Sequence, residues 1–304
     1  MALPWIARAT AQPAVAPPLL SLIVGSAPGR GADPSARAFA PFLERHPRDV
    51  RVAVLNRPGT AGLAALHLLA AANPEGHAIG WVASPVLPAR LVDAAPSQAN
   101  DYQANHDLLA RLRLVGAIQA QPLLLVANPR TGPQTLPALL RRIAGTPACQ
   151  PLATSQEGSP AHLAALQLQA REATALNIVA FPSAAAARHA AESGHAAAAL
   201  LSLGDVHESL AHATLATIPN QAAPAILRGL ALPATAPESR ATALATALRG
   251  IAADPEFIAA GAESGFQPIF VPGPDWTARM RADHTALEDL WRRTPWNPPS
   301  TLAG

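Results

Sequence analysis

Short apolar runs alternate with amphipathic stretches along the N-terminal part of the chain. Residues 19–24 form a continuous apolar run that is typical of a buried strand, and residues 34–46 have the spacing of an amphipathic helix. The pattern predicts a second strand over residues 50–55, a helix over 63–72 and a third strand over 78–83. Strands that alternate with helices favour a parallel sheet with helices on both faces.

The alternation resumes after a looser segment, residues 85–106, which is rich in Pro, Ala, Gln and Asn. Further strands are predicted over residues 113–118, 123–127, 152–154, 177–181, 196–201, 213–218, 229–232 and 267–271. Further helices are predicted over residues 135–143, 161–171, 184–191, 204–211, 238–251, 255–264 and 275–292. A chain of 304 residues with this pattern is long enough for two α/β lobes, each with its own core.

Composition narrows the class of protein. Half of the residues are apolar and 14% are charged, which favours a compact globular protein over a disordered one. The net charge is +2, all the basic residues are arginine, and no basic block carries interleaved aromatics, so a nucleic-acid footprint is absent. The single cysteine, Cys149, excludes an internal disulfide and a thiolate zinc site. We expect neither a metal nor a cofactor.

The N-terminal stretch, residues 1–18, leaves two interpretations open. It lacks the basic region and the apolar core of an intact signal peptide. Small residues at positions 7, 9, 10 and 11, interrupted by Arg8, are similar to a cleavage region. The stretch is therefore either the remnant of a leader or a Pro/Ala-rich tail.

Two glycine-containing loops join a predicted strand to a predicted helix: 25-GSAPGRGAD-33 and 155-SQEGSPAH-162. A helix N-terminus carries partial positive charge and unpaired N–H groups, and glycine lets the backbone approach a bound anion. Asp33 as helix cap followed by Pro34 in the first turn is a compatible structural interpretation. Pro34 stands where a dinucleotide fingerprint needs its third glycine, and a chain without lysine has no P-loop.

Ser159 and His162 raise the hypothesis of a Ser/His hydrolase. No GxSxG motif is present, and their spacing at a helix start favours packing of His162 against its own first turn. We therefore expect no catalytic residues and no enzyme activity.

Several motifs together resemble one family. These are 25-GSAPGRGAD-33, 56-NRPGTAG-62, 72-ANPEGHAI-79, 125-LVANP-129 and 158-GSPAHLA-164. At this spacing they are similar to P-F-P-P-G-G-G-T-D, N-R-P-G-A-G-G, A-x-P-D-G-Y-T-L, L-V-V-N-P and G-T-S-S-H-L-A of the TctC, or Bug, substrate-binding proteins of tripartite tricarboxylate transporters. The resemblance extends from Leu19 to Trp291.

The resemblance implies a periplasmic-binding-protein (Venus flytrap) fold with two lobes, each a mainly parallel sheet flanked by helices. Residues 19–118 and 229–304 would form lobe 1, and residues 119–228 would form lobe 2. Such receptors are monomeric, periplasmic proteins that bind a di- or tricarboxylate, an aromatic acid or an acidic amino acid for a membrane permease. The implied ligand contacts come from Ala27, Pro28, Gly29, Arg30, Gly31, Ala32, Asp33, Thr60, Gly62, Ser84, Gly158, Ser159 and His162.

The chain departs from the family pattern at positions that bear on ligand binding. Arg30 replaces a glycine of the first motif, and Pro160 replaces a serine and removes one amide donor. Glu157 would repel an anion if it pointed inward, and residues 179–187 lack the tyrosine and glycines of the family. These departures keep open a second hypothesis, a sensory relative that docks on a partner such as a sensor kinase.

Overall fold

The fold was analysed in a computed structural model that describes residues 18–46, 50–59, 62–93, 107–144, 150–219 and 225–296. Residues 1–17, Thr60 and Cys149 lie outside them.

The strands are β1 (Leu19–Val24), β2 (Arg51–Asn56), β3 (Ala78–Ser84), β4 (Leu112–Ala127), β5 (Leu152–Thr154), β6 (Ile178–Ala180), β7 (Ala198–Ser202), β8 (Ala216–Ile218), β9 (Ala225–Pro233) and β10 (Gln267–Pro272). Within the described residues they form one mixed sheet in the order β2-β1-β3-β9-β4-β7-β5-β6, with β10 and β8 also paired to β4. The predicted parallel pairing holds for β2-β1-β3 and for β6-β5-β7. Strands that pair with β4 or β9 do so antiparallel. The α/β fold class is confirmed.

Strand β4 is continuous over 16 residues, where the sequence pattern predicted two strands separated by a loop. Its first part pairs with β9 and β10, and its last part pairs with β7 and β8. Pro122 argued for a loop because proline donates no ladder hydrogen bond. It is tolerated because the β10 ladder ends at Ala120 and the β7 ladder begins only at Leu123. We call the strands on either side of this point the first and the second half-sheet.

The helices are α1 (Asp33–Arg45), α2 (Leu63–Ala70), α3 (Val86–Asp93), α4 (Leu136–Ile143), α5 (Pro160–Glu172), α6 (Ala184–Glu192), α7 (Leu203–Ala211), α8 (Glu238–Ala252), α9 (Pro255–Ser264) and α10 (Gly273–Arg293). Helix α3 lies in the segment that the pattern predicted to be loose. Pro88 falls in its first turn, where the missing N–H costs no helical hydrogen bond. The buried side chains of Leu87, Leu91 and Val92 hold the helix on the core.

Helices cover both faces of each half-sheet. Helices α1, α8 and α9 enclose one core of the first half-sheet, where Phe39 stacks on Trp81 with ring centroids 4.8 Å apart. Helices α2, α3 and α10 enclose the core on its other face. The second half-sheet packs against α4 and α5 on one face and against α6 and α7 on the other. A further apolar cluster joins α3 and α10 to α5 of the second half-sheet.

Candidate functional site

The first loop, residues 25–32, leads from β1 into α1 through two left-handed glycines. Gly29 has a φ of +72° and Gly31 a φ of +56°, a region that side chains other than glycine rarely adopt. The Arg30 amide donates to the Ala27 carbonyl at 3.1 Å, and the Ala32 amide donates to Ser26 Oγ at 3.1 Å. Pro28, Gly29, Arg30 and Gly31 are exposed, so the tip of the loop faces outward and is open to a ligand.

Asp33 holds this loop together and does not cap its own helix, so the predicted capping role was wrong. Helix α1 begins after Ala32 with no side-chain cap. The buried Asp33 carboxylate accepts from the Gly29 amide at 2.7 Å, from Arg37 Nε at 3.0 Å and from Asn56 Nδ2 at 2.8 Å. The hydrogen bond from Arg37 does most to lower the pKa of the Asp33 carboxyl to about 2, against the opposing effect of burial. Both oxygens of the Asp33 carboxylate are thus engaged within the protein, where they fix the shape of the loop.

The turn after β2 is fastened to the first loop. Asn56 Nδ2 also donates to the Ser26 carbonyl at 2.8 Å, and the Arg57 amide donates to the Val24 carbonyl at 2.8 Å. A Cβ atom at Gly25 would lie 2.9 Å from Gly62 Cα, so the two turns touch through their backbones. The structure therefore brings Gly62 together with the predicted first-loop residues. Thr60, from the same predicted set, lies outside the described residues.

Ser84 lies at the carboxyl end of β3, the strand next to β1. Its side chain is 2% exposed, and its Oγ donates to Asp283 Oδ2 of α10 at 2.5 Å. The hydroxyl thus ties β3 to α10.

The second loop, residues 155–159, leads from β5 into α5. Ser159 Oγ caps the helix by accepting from the His162 amide at 3.2 Å, and it also accepts from Ser155 Oγ at 3.0 Å. The Gly158 amide donates to His162 Nδ1 at 3.2 Å. Burial lowers the pKa of the His162 imidazole, against the opposing charge of Glu157, so the ring accepts this bond as a neutral group.

These contacts assign structural roles to Ser159 and His162. The hydroxyl binds the backbone amide of His162, and the imidazole Nδ1 binds the amide of Gly158. A nucleophile and its base would need a hydrogen bond between hydroxyl and imidazole. The hydrolase hypothesis therefore gains no support from this geometry.

The second loop touches the first half-sheet through a residue that sequence reasoning missed. Arg90 of α3 forms an ion pair with Asp93 at 2.7 Å, and its Nη2 lies 3.5 Å from the Gly158 carbonyl. Because residues 85–106 were interpreted as a loose segment, Arg90 had no predicted position. A helical pattern over Leu87, Leu91 and Val92 was the available signal.

Arg228 of β9 is a second residue that was missed. Its Nη1 donates to Gln121 Oε1 of β4 at 2.7 Å, while its Nε finds no acceptor among the described residues. Burial lowers the pKa of the Arg228 guanidinium to about 10, against the opposing charge of Asp205. The sequence signal was an arginine within the apolar run of residues 226–233.

The described residues hold no cluster of three or more His, Cys, Asp or Glu that could bind a metal ion. None of the described helices is both long and apolar enough to cross a membrane.

The chain is similar to known proteins in structure. No family profile and no curated protein sequence matches the chain. A TctC solute-binding protein from Polaromonas superposes with a TM-score of 0.72 at 20% identity, over 90% of this chain and 98% of that one. The chain has the fold of the TctC solute-binding proteins.

Two further solved structures with a similar fold contain an organic acid. R. palustris Rpa4515 with adipate superposes with a TM-score of 0.69 at 15% identity, over 90% of this chain and 96% of that one. MatC from Rhodopseudomonas palustris with bound malate superposes with a TM-score of 0.65 at 17% identity, over 90% of this chain and 98% of that one. The expected fold is confirmed, and these two neighbours hold adipate and malate.

Proposed function

We propose that this protein is an extracytoplasmic receptor that captures a small organic carboxylate and presents it to a membrane permease. The observation that carries the proposal is the first loop, where a helix N-terminus without a side-chain cap stands behind exposed, left-handed glycines. Such a terminus offers free N–H groups and partial positive charge to an anion. The proteins with adipate and malate that share this fold support a carboxylate as the ligand.

The ligand would lie between two lobes that correspond to the predicted divisions, residues 19–118 with 229–304 and residues 119–228. Support comes from the strands, since the parallel strands of each half-sheet end at a loop that opens a helix. Open α/β sheets bind ligands at such carboxyl ends. That the first loop, Gly62, Ser84 and the second loop contact one ligand remains part of the proposal.

A sensory role is the second candidate, and one observation favours it. In the second loop, the Gly158 amide donates to the His162 side chain, and the His162 amide donates to the Ser159 side chain. Pro160 contributes no N–H. A receptor whose second loop binds an anion less strongly could have kept a docking function toward a sensor kinase.

Isothermal titration of the purified protein against dicarboxylates, tricarboxylates, aromatic acids and acidic amino acids tests the proposal. We expect heat and a thermal shift with at least one acid, and neither with the corresponding amide. Absence of both across the panel would overturn the carboxylate receptor and leave the sensory candidate. Loss of uptake of the bound acid in a strain lacking the protein would separate transport from sensing.

A further inference from the structure

Arg228 and Gln119 lie side by side on adjacent strands, level with the carboxyl end of β3. In the ladder of β9, Arg228 lies opposite Ala83 of β3 and opposite Gln119 of β4. The next pair along this row is Ser84 with Leu227, at the carboxyl end of β3. Strand β1, which leads into the first loop, is the parallel neighbour of β3. At about 4.8 Å per strand spacing, β9 is about 10 Å from β1.

Both side chains carry buried donors that nothing in the described part of the protein satisfies. Gln119 is 1% exposed, and its Nε2 has no acceptor. The buried Nε of Arg228 has none either. Buried polar atoms nearly always have a hydrogen-bond partner, so two neighbouring donors without one indicate that an acceptor comes from outside the chain.

The positive charge of Arg228 also lacks an ion-pair partner among the described residues. Asp205, in the first turn of α7, is the acidic group whose charge acts on it, but Asp205 accepts instead from Ser202 Oγ. No acidic side chain of the described residues forms an ion pair with Arg228. A pKa lowered to about 10 still leaves the guanidinium protonated at neutral pH.

We propose that Arg228 and Gln119 bind an anionic oxygen group of the ligand, which makes the preferred ligand a diacid. One acidic group would lie at the first loop and the other at this pair of donors, with Gln121 positioning the guanidinium. The inference rests on the proposed function, because it assigns the second end of the same carboxylate ligand. A guanidinium offers two parallel donors to a carboxylate, which favours this group over a neutral amide.

Titration of the wild-type protein with matched pairs of ligands is the first test. Succinate, glutarate and adipate are compared with their monoamides, which keep one carboxylate and the chain length. Since hydrogen bonds between charged groups are the stronger kind, we expect the preferred diacid to bind about tenfold or more tightly than its monoamide.

Variants then assign the preference to the residue. In Arg228→Gln we expect the affinity for the diacid to fall to about that for the monoamide, a loss of about tenfold. Affinity for the monoamide itself should stay the same. The matched control is Arg249→Gln, which removes a guanidinium that lies over the Phe270 ring, 5.0 Å from its centroid. It should leave both affinities unchanged.

The outcomes separate this inference from the proposed function. If the wild-type protein binds no acid, both are overturned. If it binds diacids and monoamides equally, or if Arg228→Gln keeps the preference for the diacid, only the present inference is overturned. Should Arg228→Gln fail to fold by circular dichroism, the wild-type ratio and the same titrations of Gln119→Leu decide.

Discussion

The two glycine-containing loops precede their helices in the same way, yet they leave different groups free. In the first loop, the hydrogen bonds engage the amides of Gly29, Arg30, Ala32 and Asp33, and Pro34 has no N–H. The amides of Gly31 and Ser35 keep no acceptor among the described residues. The glycine tip is exposed, and the neighbouring charge is the positive one of Arg30.

In the second loop, most of the backbone amides at the helix start are already hydrogen-bonded within the protein. The amides of Gly158 and His162 bind side chains of the same turn, and Pro160 has no N–H. Gly158 and His162 are buried, and the exposed charge beside them is the negative one of Glu157. A glycine before a helix therefore predicts an anion site only where the amides are not already bound within the protein.

A substitution at Gly31 tests most directly whether the first loop binds the anion. A Cβ atom there would lie 2.6 Å from Ser26 Oγ, and the φ of +56° disfavours any side chain. We expect Gly31→Ala to weaken carboxylate binding about tenfold or more, equivalent to about 1.4 kcal/mol, by titration calorimetry. It should also lower the free energy of unfolding by about 1–2 kcal/mol.

Gly29→Ala is the matched control for this change. Its φ of +72° carries the same backbone cost, but a Cβ atom there meets nothing within 4 Å. Gly31→Ala should therefore lose more stability than Gly29→Ala, and Gly29→Ala should keep most of the binding. If both variants bound the acid as tightly as the wild type, the first loop would not hold the anion.

Asp33 tests how firmly the first loop is held. We expect Asp33→Asn to lower the free energy of unfolding by about 1–3 kcal/mol at pH 7, because the bonds from Arg37 and Gly29 lose a charged acceptor. The wild-type advantage is present above the ordinary pKa of 3.8 and is lost as the pH falls through the folded pKa of about 2. Urea unfolding at pH 7 and at steps between pH 4 and pH 2 measures both effects.

The control for Asp33 is Glu288→Gln, which removes an exposed carboxylate from its ion pair with Arg292. Exposed pairs contribute about 0–1 kcal/mol, so little change is expected. A difference between wild type and Asp33→Asn that persisted at the acid end would contradict the assigned role of the carboxylate.

Ser159 tests the second loop. We expect Ser159→Ala to cost about 1 kcal/mol of stability, since it removes the cap of α5, and to leave carboxylate binding nearly unchanged. Ser183→Ala removes the equivalent cap of α6, with Ser183 Oγ accepting from the Ala186 amide, and should cost the same. Binding lost in Ser159→Ala alone would show that the Ser159 hydroxyl itself contacts the ligand.

Much of the fold was predictable because its core strands are short apolar runs. The run of residues 19–24 became β1 without change, and the parallel pairing of β1 with β2 and β3 followed from the alternation of strands and helices. The errors came at polar or proline residues inside regular elements. Because of Pro88 the pattern missed α3, and because of Pro122 it predicted two strands where β4 is continuous. Local propensity counted against both, and long-range packing outweighed it.

The candidate site was predictable only as a place along the chain. The glycines of the first loop stand at a helix start, as expected. That Asp33 would bind Gly29, Arg37 and Asn56 depended on β2 lying beside β1, which a motif does not state. Arg228 was passed over for a similar reason, because its unsatisfied donors appear only when β9 is paired with β4.

His162 gives the smallest expected effect and the finest test of the comparison. Burial lowers the pKa of its imidazole, so the folded state resists the proton that the unfolded chain takes up. Its contribution is complete above the ordinary pKa of 6.5 and is lost as the pH falls through the lowered folded pKa. We expect His162→Asn, whose Oδ1 can still accept from the Gly158 amide, to lose less stability on acidification than the wild type.

The measurement is urea unfolding from pH 7.5 downward, with His195→Asn as control because His195 is exposed. That control should keep the wild-type dependence on pH. If His162→Asn also kept it, a neutral imidazole would not be what holds the Gly158 amide. The second loop would then have an amide to offer a ligand, and the contrast between the two loops would shrink to their exposed charges, those of Arg30 and Glu157.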